Sequence, residues 1–228
     1  MATVYAHTND GWVAMDGFVS SVPDWSTART ATSGNTYSST TTTNSVGTAA
    51  AKVVGRGGTV YIIYRSFFFF DTSGITDNVG SATLKLMGYY GTDGDCMALK
   101  STSDIETLGT ADFNAIVGWS TTTDGSGGGD NESNVTKYSD EITTWTSSGT
   151  YNDITLNSNA LADMKNDDTL YICLINYDHD LKDIAPTAFT NRNGMYYSNY
   201  TGTSRDPYID YTLAPAVTDN ATFFGANF

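Results

Sequence analysis

With 228 residues the chain can bury roughly 70–75% of its unfolded surface, so one large β domain fits it as well as two small ones. Its 25 acidic residues against 11 basic ones give a net charge of -14, and a surface of that sign repels polyanions, which argues against nucleic acid as a partner. Aromatics reach 13% while only 16% of residues are charged, which separates the chain from disordered acidic sequences and suits a turn-rich extracellular or virion β protein.

The N-terminus, MATVYAHTNDGW, has no basic region followed by an apolar run, so no secretory signal is expected. No stretch approaches the roughly 20 apolar residues of a membrane span, so no membrane partner is expected either. From Asp10 to Arg29 short apolar pieces are broken by Gly and Pro, predicting one or two opening strands and a loop around Pro23-Asp24-Trp25. The Thr/Ser tract from Thr30 to Asn44 predicts a loop or an exposed edge strand. Tyr61 to Phe70 is apolar on nearly every residue and predicts a strand covered on both faces, ending in the turn residues Asp71-Thr72-Ser73-Gly74. Ala82 to Leu86 alternates at period two, predicting a strand with one wet face.

Further strands are predicted at Cys96–Lys100, Ile142–Trp145, Tyr151–Leu156, Leu170–Ile175, Met195–Tyr197 and Tyr208–Leu213. Single helical turns are predicted at Ser103–Leu108 and Thr110–Ile116, and a short capped helix at Asn159–Lys165. Asp124 to Glu132 reads as a flexible loop. Cys173 reads as a buried thiol, and spacing does not decide whether it is bonded to Cys96. The expected organisation is an all-β, single-domain sandwich over residues 1–214 with one or two short helices, followed by a tail over 215–228. Phe223, Phe224 and Phe228 in that tail have too little around them to form a core. They are expected to dock on a neighbouring subunit, giving a homo-oligomer.

The segment YRSFFFFDTSGITDNVGSATLKL resembles the signature of DNRLRE-type, carbohydrate-binding-module-like jelly rolls: an arginine, an aromatic strand ending in Phe-Asp, a loop, then Ser-Ala-Thr-Leu-x-Leu. The version here is similar to domains of tailed-phage virion proteins. DGWVAMDGFVSSVPDWSTAR, TADFNAIVGWS, YNDITLNSNALADMK and SRDPYIDYTL resemble further pieces of the phage-type variant in the same order, over roughly residues 8 to 213. The resemblance implies a two-sheet jelly roll displayed on a surface and sometimes binding glycans. Together with the acidic, signal-free chain it leads to the expectation of a non-enzymatic structural virion protein: a capsid-decoration, fibre or tail-appendage subunit whose partners are other virion proteins. The rivals are a carbohydrate-binding module that recognises surface glycans through loop aromatics, and a polysaccharide lyase or hydrolase.

For nucleophilic catalysis a base must reach a Ser or Cys, and only His7 and His179 are present, neither beside a nucleophile-elbow pattern. No catalytic residue is therefore named. Asp178, Asp180 and Asp183 are candidate metal ligands, as are Asp93 with Asp95 and Asp124 with Asp130. Hard carboxylate oxygens of this kind suit calcium, but none matches EF-hand spacing and turn chemistry accounts for each cluster, so no cofactor is expected unless it is that ion. Arg65, at the head of a phenylalanine-dense strand, is expected to stack on aromatics or pair with a carboxylate such as Asp71. Trp25 and Tyr200, in polar contexts, are the aromatics least expected in the core and hence the candidate glycan contacts.

Overall fold

The computed structural model describes residues 1–92, 94–102, 107–147 and 149–216. Eleven strands are described: β1 (Ala2–Tyr5), β2 (Gly11–Asp16), β3 (Thr36–Ser38), β4 (Thr43–Gly55), β5 (Gly58–Asp71), β6 (Val79–Thr92), β7 (Cys96–Lys100), β8 (Tyr151–Thr155), β9 (Thr169–Asn176), β10 (Arg192–Tyr196) and β11 (Tyr208–Leu213). They pair antiparallel throughout, and the all-β sandwich expected from the sequence is the observed architecture. The first sheet runs β1-β11-β6-β8. In the second, β5 has β4 and then β9 along one edge, β4 leading to β10 and β9 to β7, and β2 along the other edge, leading to the edge strand β3. The last residues of β6 leave the first sheet and pair with β10, joining the two.

β5 shows why an unbroken apolar run is a doubly covered strand. Phe68 and Phe70 face the first sheet and pack with Leu84, Leu86, Ile154 and Ile209. Ile63, Phe67 and Phe69 face the other way, into a second cluster with Val13, Trp25, Phe113, Ile116 and Leu181. All four phenylalanines are fully buried. Each contributes roughly 2–3 kcal/mol on burial, so a strand with a wet face at this position would forfeit much of the fold's margin. Ser66, between Arg65 and Phe67, is buried as well, and its hydroxyl is satisfied by Gly47 O and the Tyr197 hydroxyl, both at 2.6 Å.

Two α-helices, one 3-10 turn and one π turn complete the regular elements of the described chain. The segment around Pro23-Asp24-Trp25, expected as a loop, is α1 (Trp25–Thr30), and Asp24 caps it by accepting from Thr27 N at 2.7 Å. α2 (Ser158–Asn166) carries the capped helix expected there, with Asn157 as N-cap and Ala160 and Met164 buried. Thr110–Asn114 is a 3-10 turn, and Tyr177–Leu181 a π turn that the periodicity did not predict. Ile142 makes only a single bridge to Cys96 where a strand was expected, because the chain there lies along the end of β7 without entering a ladder. Cys96 and Cys173 are both free and buried. Residues 103–106 of the first predicted helical turn, Asp93, and Phe223, Phe224 and Phe228 with the tail from residue 217 onward lie outside the described residues.

Candidate functional site

Three groupings of polar or aromatic side chains stand out. The first is interior. Arg65 projects from β5 away from the first sheet, and its guanidinium grips Asp180 of the π turn with two bonds, Nε to Oδ2 at 2.7 Å and Nη2 to Oδ1 at 2.8 Å. Its Nη1 donates to Phe113 O at 2.5 Å and Asn114 Oδ1 at 2.6 Å. Arg29 reaches the same acid from α1: its Nε donates to Asp180 O at 2.7 Å and lies 3.5 Å from Oδ1. The Trp119 ring lies between the two cations, 4.2 Å from the Arg29 guanidinium and 4.1 Å from that of Arg65. Arg29, Arg65 and Asp180 are fully buried. Burial pulls the Arg29 guanidinium below its ordinary range, and Asp180 opposes that pull.

This bracket corrects several expectations. Arg65 stacks on aromatics as expected, but its carboxylate is Asp180. Asp71 sits at the far, exposed end of β5 and accepts from Ser73. Trp25 is not a loop contact for glycans: it is buried in the second cluster, and its indole Nε1 donates to Asp183 Oδ1 at 2.9 Å. Asp183, at φ 54°, collects amide donors from Asp124, Gly125 and Gly129, so the segment expected to be flexible is wound around one carboxylate. Asp178, Asp180 and Asp183 therefore do not form a common ligand set, since Asp180 is taken by arginines and Asp183 by amides.

A second grouping lies at one end of β7 and β9. Backbone pairing of Cys96 with Asn176 and with Ile142 brings Asp95, Glu141 and Asp178 together, each offering a carboxylate oxygen within 4.8 Å of the others. Partial burial pushes the Glu141 carboxyl up, and the Asp178 charge adds to that. Hard oxygens so placed could hold a calcium ion. Of the three candidates from sequence, Asp178 is the one the structure places in such a group, with Asp95 and Glu141 as neighbours in place of Asp180 and Asp183.

The third grouping lies at the surface, with Tyr5 and Tyr89 exposed, Tyr151, Tyr200, Arg205 and Tyr208 half-buried and Tyr196 buried. Leu84 and Leu86 of β6 point into the core, so Lys85, Met87 and Tyr89 line the opposite face of the first sheet. Register places Tyr208 opposite both Tyr5 and Lys85, and Tyr151 opposite Met87. The rings touch in two sets: Tyr5–Tyr208–Tyr151, with centroids 5.7 and 5.0 Å apart, and Tyr89–Tyr196–Tyr200, with centroids 5.4 and 5.0 Å apart. Tyr5 is 49% exposed and Tyr89 42%. Arg205 lies over Tyr196 and Tyr200 at 4.7 and 4.8 Å from the ring centres, and its Nη1 donates to both hydroxyls, at 2.7 and 3.2 Å.

The loop 197–207 that carries Tyr200 and Arg205 is fastened at both ends. The Tyr151 hydroxyl donates to Ser204 O and Asp206 O, at 3.1 and 3.2 Å. At the other end Ser198 N and Oγ donate to Asp10, and Asn199 Nδ2 donates to Thr8 O at 2.6 Å. Asp10 is fully buried, and desolvation pushes its carboxyl up to about 7 against the opposing Ser198 bonds. Tyr200 is thus the glycan candidate from sequence that the structure places in an aromatic cluster. Tyr5, Tyr151, Tyr208 and Arg205 were not singled out, although the period-two pattern Tyr208-Ile209-Asp210 already turns Tyr208 outward.

Neither histidine addresses a nucleophile. His179 Nδ1 is bonded to Ile184 O at 2.7 Å and its Nε2 to the Asn191 amide, while His7 Nδ1 accepts from Asn9 N at 3.2 Å. Burial raises both thiols, Cys96 to about 12. Comparison with known proteins found no matching family model and no matching curated protein.

Proposed function

We propose that this chain is a non-enzymatic structural protein of a virion, a capsid-decoration, fibre or tail-appendage subunit of a tailed phage that works by packing and surface display. The observation that carries the reading is the sealed Arg29–Asp180–Arg65 bracket. The most elaborate polar arrangement among the described residues is spent inside, fixing α1, the π turn and the loops against β5, where it serves rigidity and is closed to a substrate. Short outermost strands, β1 with four residues and β3 with three, blunt edge-to-edge pairing in a crowded assembly. The virion setting rests on the sequence resemblance alone. The test is to look for the protein in purified particles and to size it by light scattering. An oligomer lost on truncation after Pro215 is expected, and a stable monomer indifferent to that truncation, absent from particles, would refute the reading.

A second reading, recognition of surface glycans, is favoured by one observation: half-buried Tyr200 belongs to a cluster of tyrosines whose Tyr89 ring is exposed, and aromatic faces are suited to stacking on sugar rings. Glycan-array binding that is lost in Tyr200→Ala and kept in Trp25→Phe is expected. An array with no positive glycan removes this reading and leaves the first one standing.

A further inference from the structure

We infer that the Tyr89–Tyr196–Tyr200–Arg205 surface binds a saccharide bearing a carboxylate, an acidic polysaccharide; this deepens the glycan reading and rests on it. The argument is a count of donors. Arg205 is held between ring stacking and two phenol oxygens, so its orientation is fixed before any ligand arrives. Both phenol oxygens accept from Nη1, so their own O–H groups must donate elsewhere. Among the described residues no acceptor takes either of them, and none takes a bond from Nε or Nη2 of Arg205. Two hydroxyls and the Nε–Nη2 edge of a guanidinium therefore share one cluster with no acceptor of their own among the described residues.

The charge is uncompensated as well. Lys85, Lys100 and Lys137 sit against carboxylates, Asp153 at 2.7 Å, Asp163 at 2.9 Å and Glu132 at 3.1 Å, whereas Arg192, like Arg205, rests on aromatic rings and donates to a phenol oxygen. Arg205 has no carboxylate within ion-pairing distance among the described residues. Its chain neighbour Asp206 does not serve: that side chain is buried, its Oδ1 has no hydrogen-bond partner and it makes no ion pair with the guanidinium. On the same sheet face Asp153 is held by Lys85 and Asp210 by Thr3 Oγ1 at 2.6 Å. A fixed cation with convergent donors, beside the exposed Tyr89 ring, is complementary to a sugar ring carrying one carboxylate. A nucleic-acid strand needs several cations along its length, which a chain of net charge -14 disfavours.

The test is calorimetric titration of the full chain at low salt with an oligogalacturonate, its methyl-esterified form, an oligosialate and oligothymidylate. Binding of at least one acidic sugar is expected, weaker by about tenfold or more for the ester and for Arg205→Gln, the size of one lost charge-assisted contact. Tyr200→Phe, which keeps the ring and removes only the hydroxyl, is expected to weaken the acidic sugar while leaving thermal unfolding unchanged. Equal binding of acid and ester, unmoved by Arg205→Gln, overturns the carboxylate inference and leaves neutral glycan recognition standing. Binding of no sugar at all overturns both, and tighter binding of oligothymidylate than of either acidic sugar overturns the inference in favour of a nucleic-acid strand.

Discussion

Asp180→Asn is the substitution whose cost follows most directly from the structure. The carboxylate accepts two charge-assisted bonds from Arg65, at 2.7 and 2.8 Å, and lies 3.5 Å from Arg29 Nε, with all three side chains fully buried. The amide keeps one acceptor oxygen and turns a donor nitrogen onto a guanidinium, so one strong bond becomes a donor–donor contact. Breaking a buried ion pair from one side costs about 3–5 kcal/mol, because the remaining charge is left without compensation. Here two cations are left facing each other across Trp119, which places the expected loss at the upper part of that range. Against a typical folding stability of about 5–15 kcal/mol, the variant should unfold at a much lower denaturant midpoint, with its slope little changed. Urea titration followed by tryptophan fluorescence reads this. The double variant Arg65→Met, Asp180→Asn should lose less than the sum of the single losses, since the two residues share one interaction. A loss below about 1 kcal/mol in the single variant, or strict additivity in the cycle, would refute the view that this bracket holds the second sheet to its cover.

Asp10 gives a pH dependence with a definite sign. Its carboxyl is raised from 3.8 to about 7 in the fold, so native protein binds this proton more tightly than the unfolded chain does. The stability it allows is therefore full below pH 3.8, falls as pH rises through that window, and is lowest above about 7; the span is about 4 kcal/mol at most, at 1.36 kcal/mol per unit. Asp10→Asn should accordingly be more stable than the parent at pH 8 and converge with it near pH 4; a variant less stable at pH 8 sinks the idea. The two thiols should resist a thiol-labelling reagent in native protein, since both are buried and Cys96 is raised to about 12, and labelling within minutes without denaturant would contradict that placement. Trp25→Phe should cost about 1–3 kcal/mol in thermal or urea unfolding through the lost indole bond to Asp183; no measurable change would return Trp25 to the surface.

The parts of the fold that could be read from the chain were those whose cause is local. β5 and β6 follow from period-two patterning and from the density of Phe and Ile, and α2 from the capping residues at Asn157 ahead of Leu161 and Met164, three apart, of which Met164 is buried and Leu161 partly so. α1 escaped because its residues Ser26, Thr27 and Thr30 are indifferent helix formers. Burial of Trp25, Ala28 and Arg29 holds it, and only Asp24 as a cap was there to signal it. The glycine-rich stretch around Asp124 looked flexible because composition reports the freedom of a backbone and is silent on what that backbone will wrap. Asp183, 59 residues further on, supplies the organising charge. The candidate surface was half legible for the same reason: Tyr200 could be picked for its polar context, whereas its company of Tyr89, Tyr196 and Arg205 depends on how β6 and β10 register.

The stack of guanidinium on aromatic ring recurs in this molecule, and two of its instances receive opposite electrostatic treatment. Inside, Arg29 and Arg65 flank Trp119 and are answered by Asp180, because a bare cation in a low-dielectric interior would cost far more than the ring's quadrupole returns. Outside, Arg205 rests on Tyr196 and Tyr200 and is left without an acid, which water tolerates at little cost. An uncompensated charge at a wet surface makes no demand on folding, so Arg205→Gln should leave stability within about 0.5 kcal/mol of the parent while Arg65→Gln does not. If unfolding experiments find the two substitutions equally damaging, Arg205 is a structural strut of the 197–207 loop, and the donors it presents were never free to be offered to a ligand.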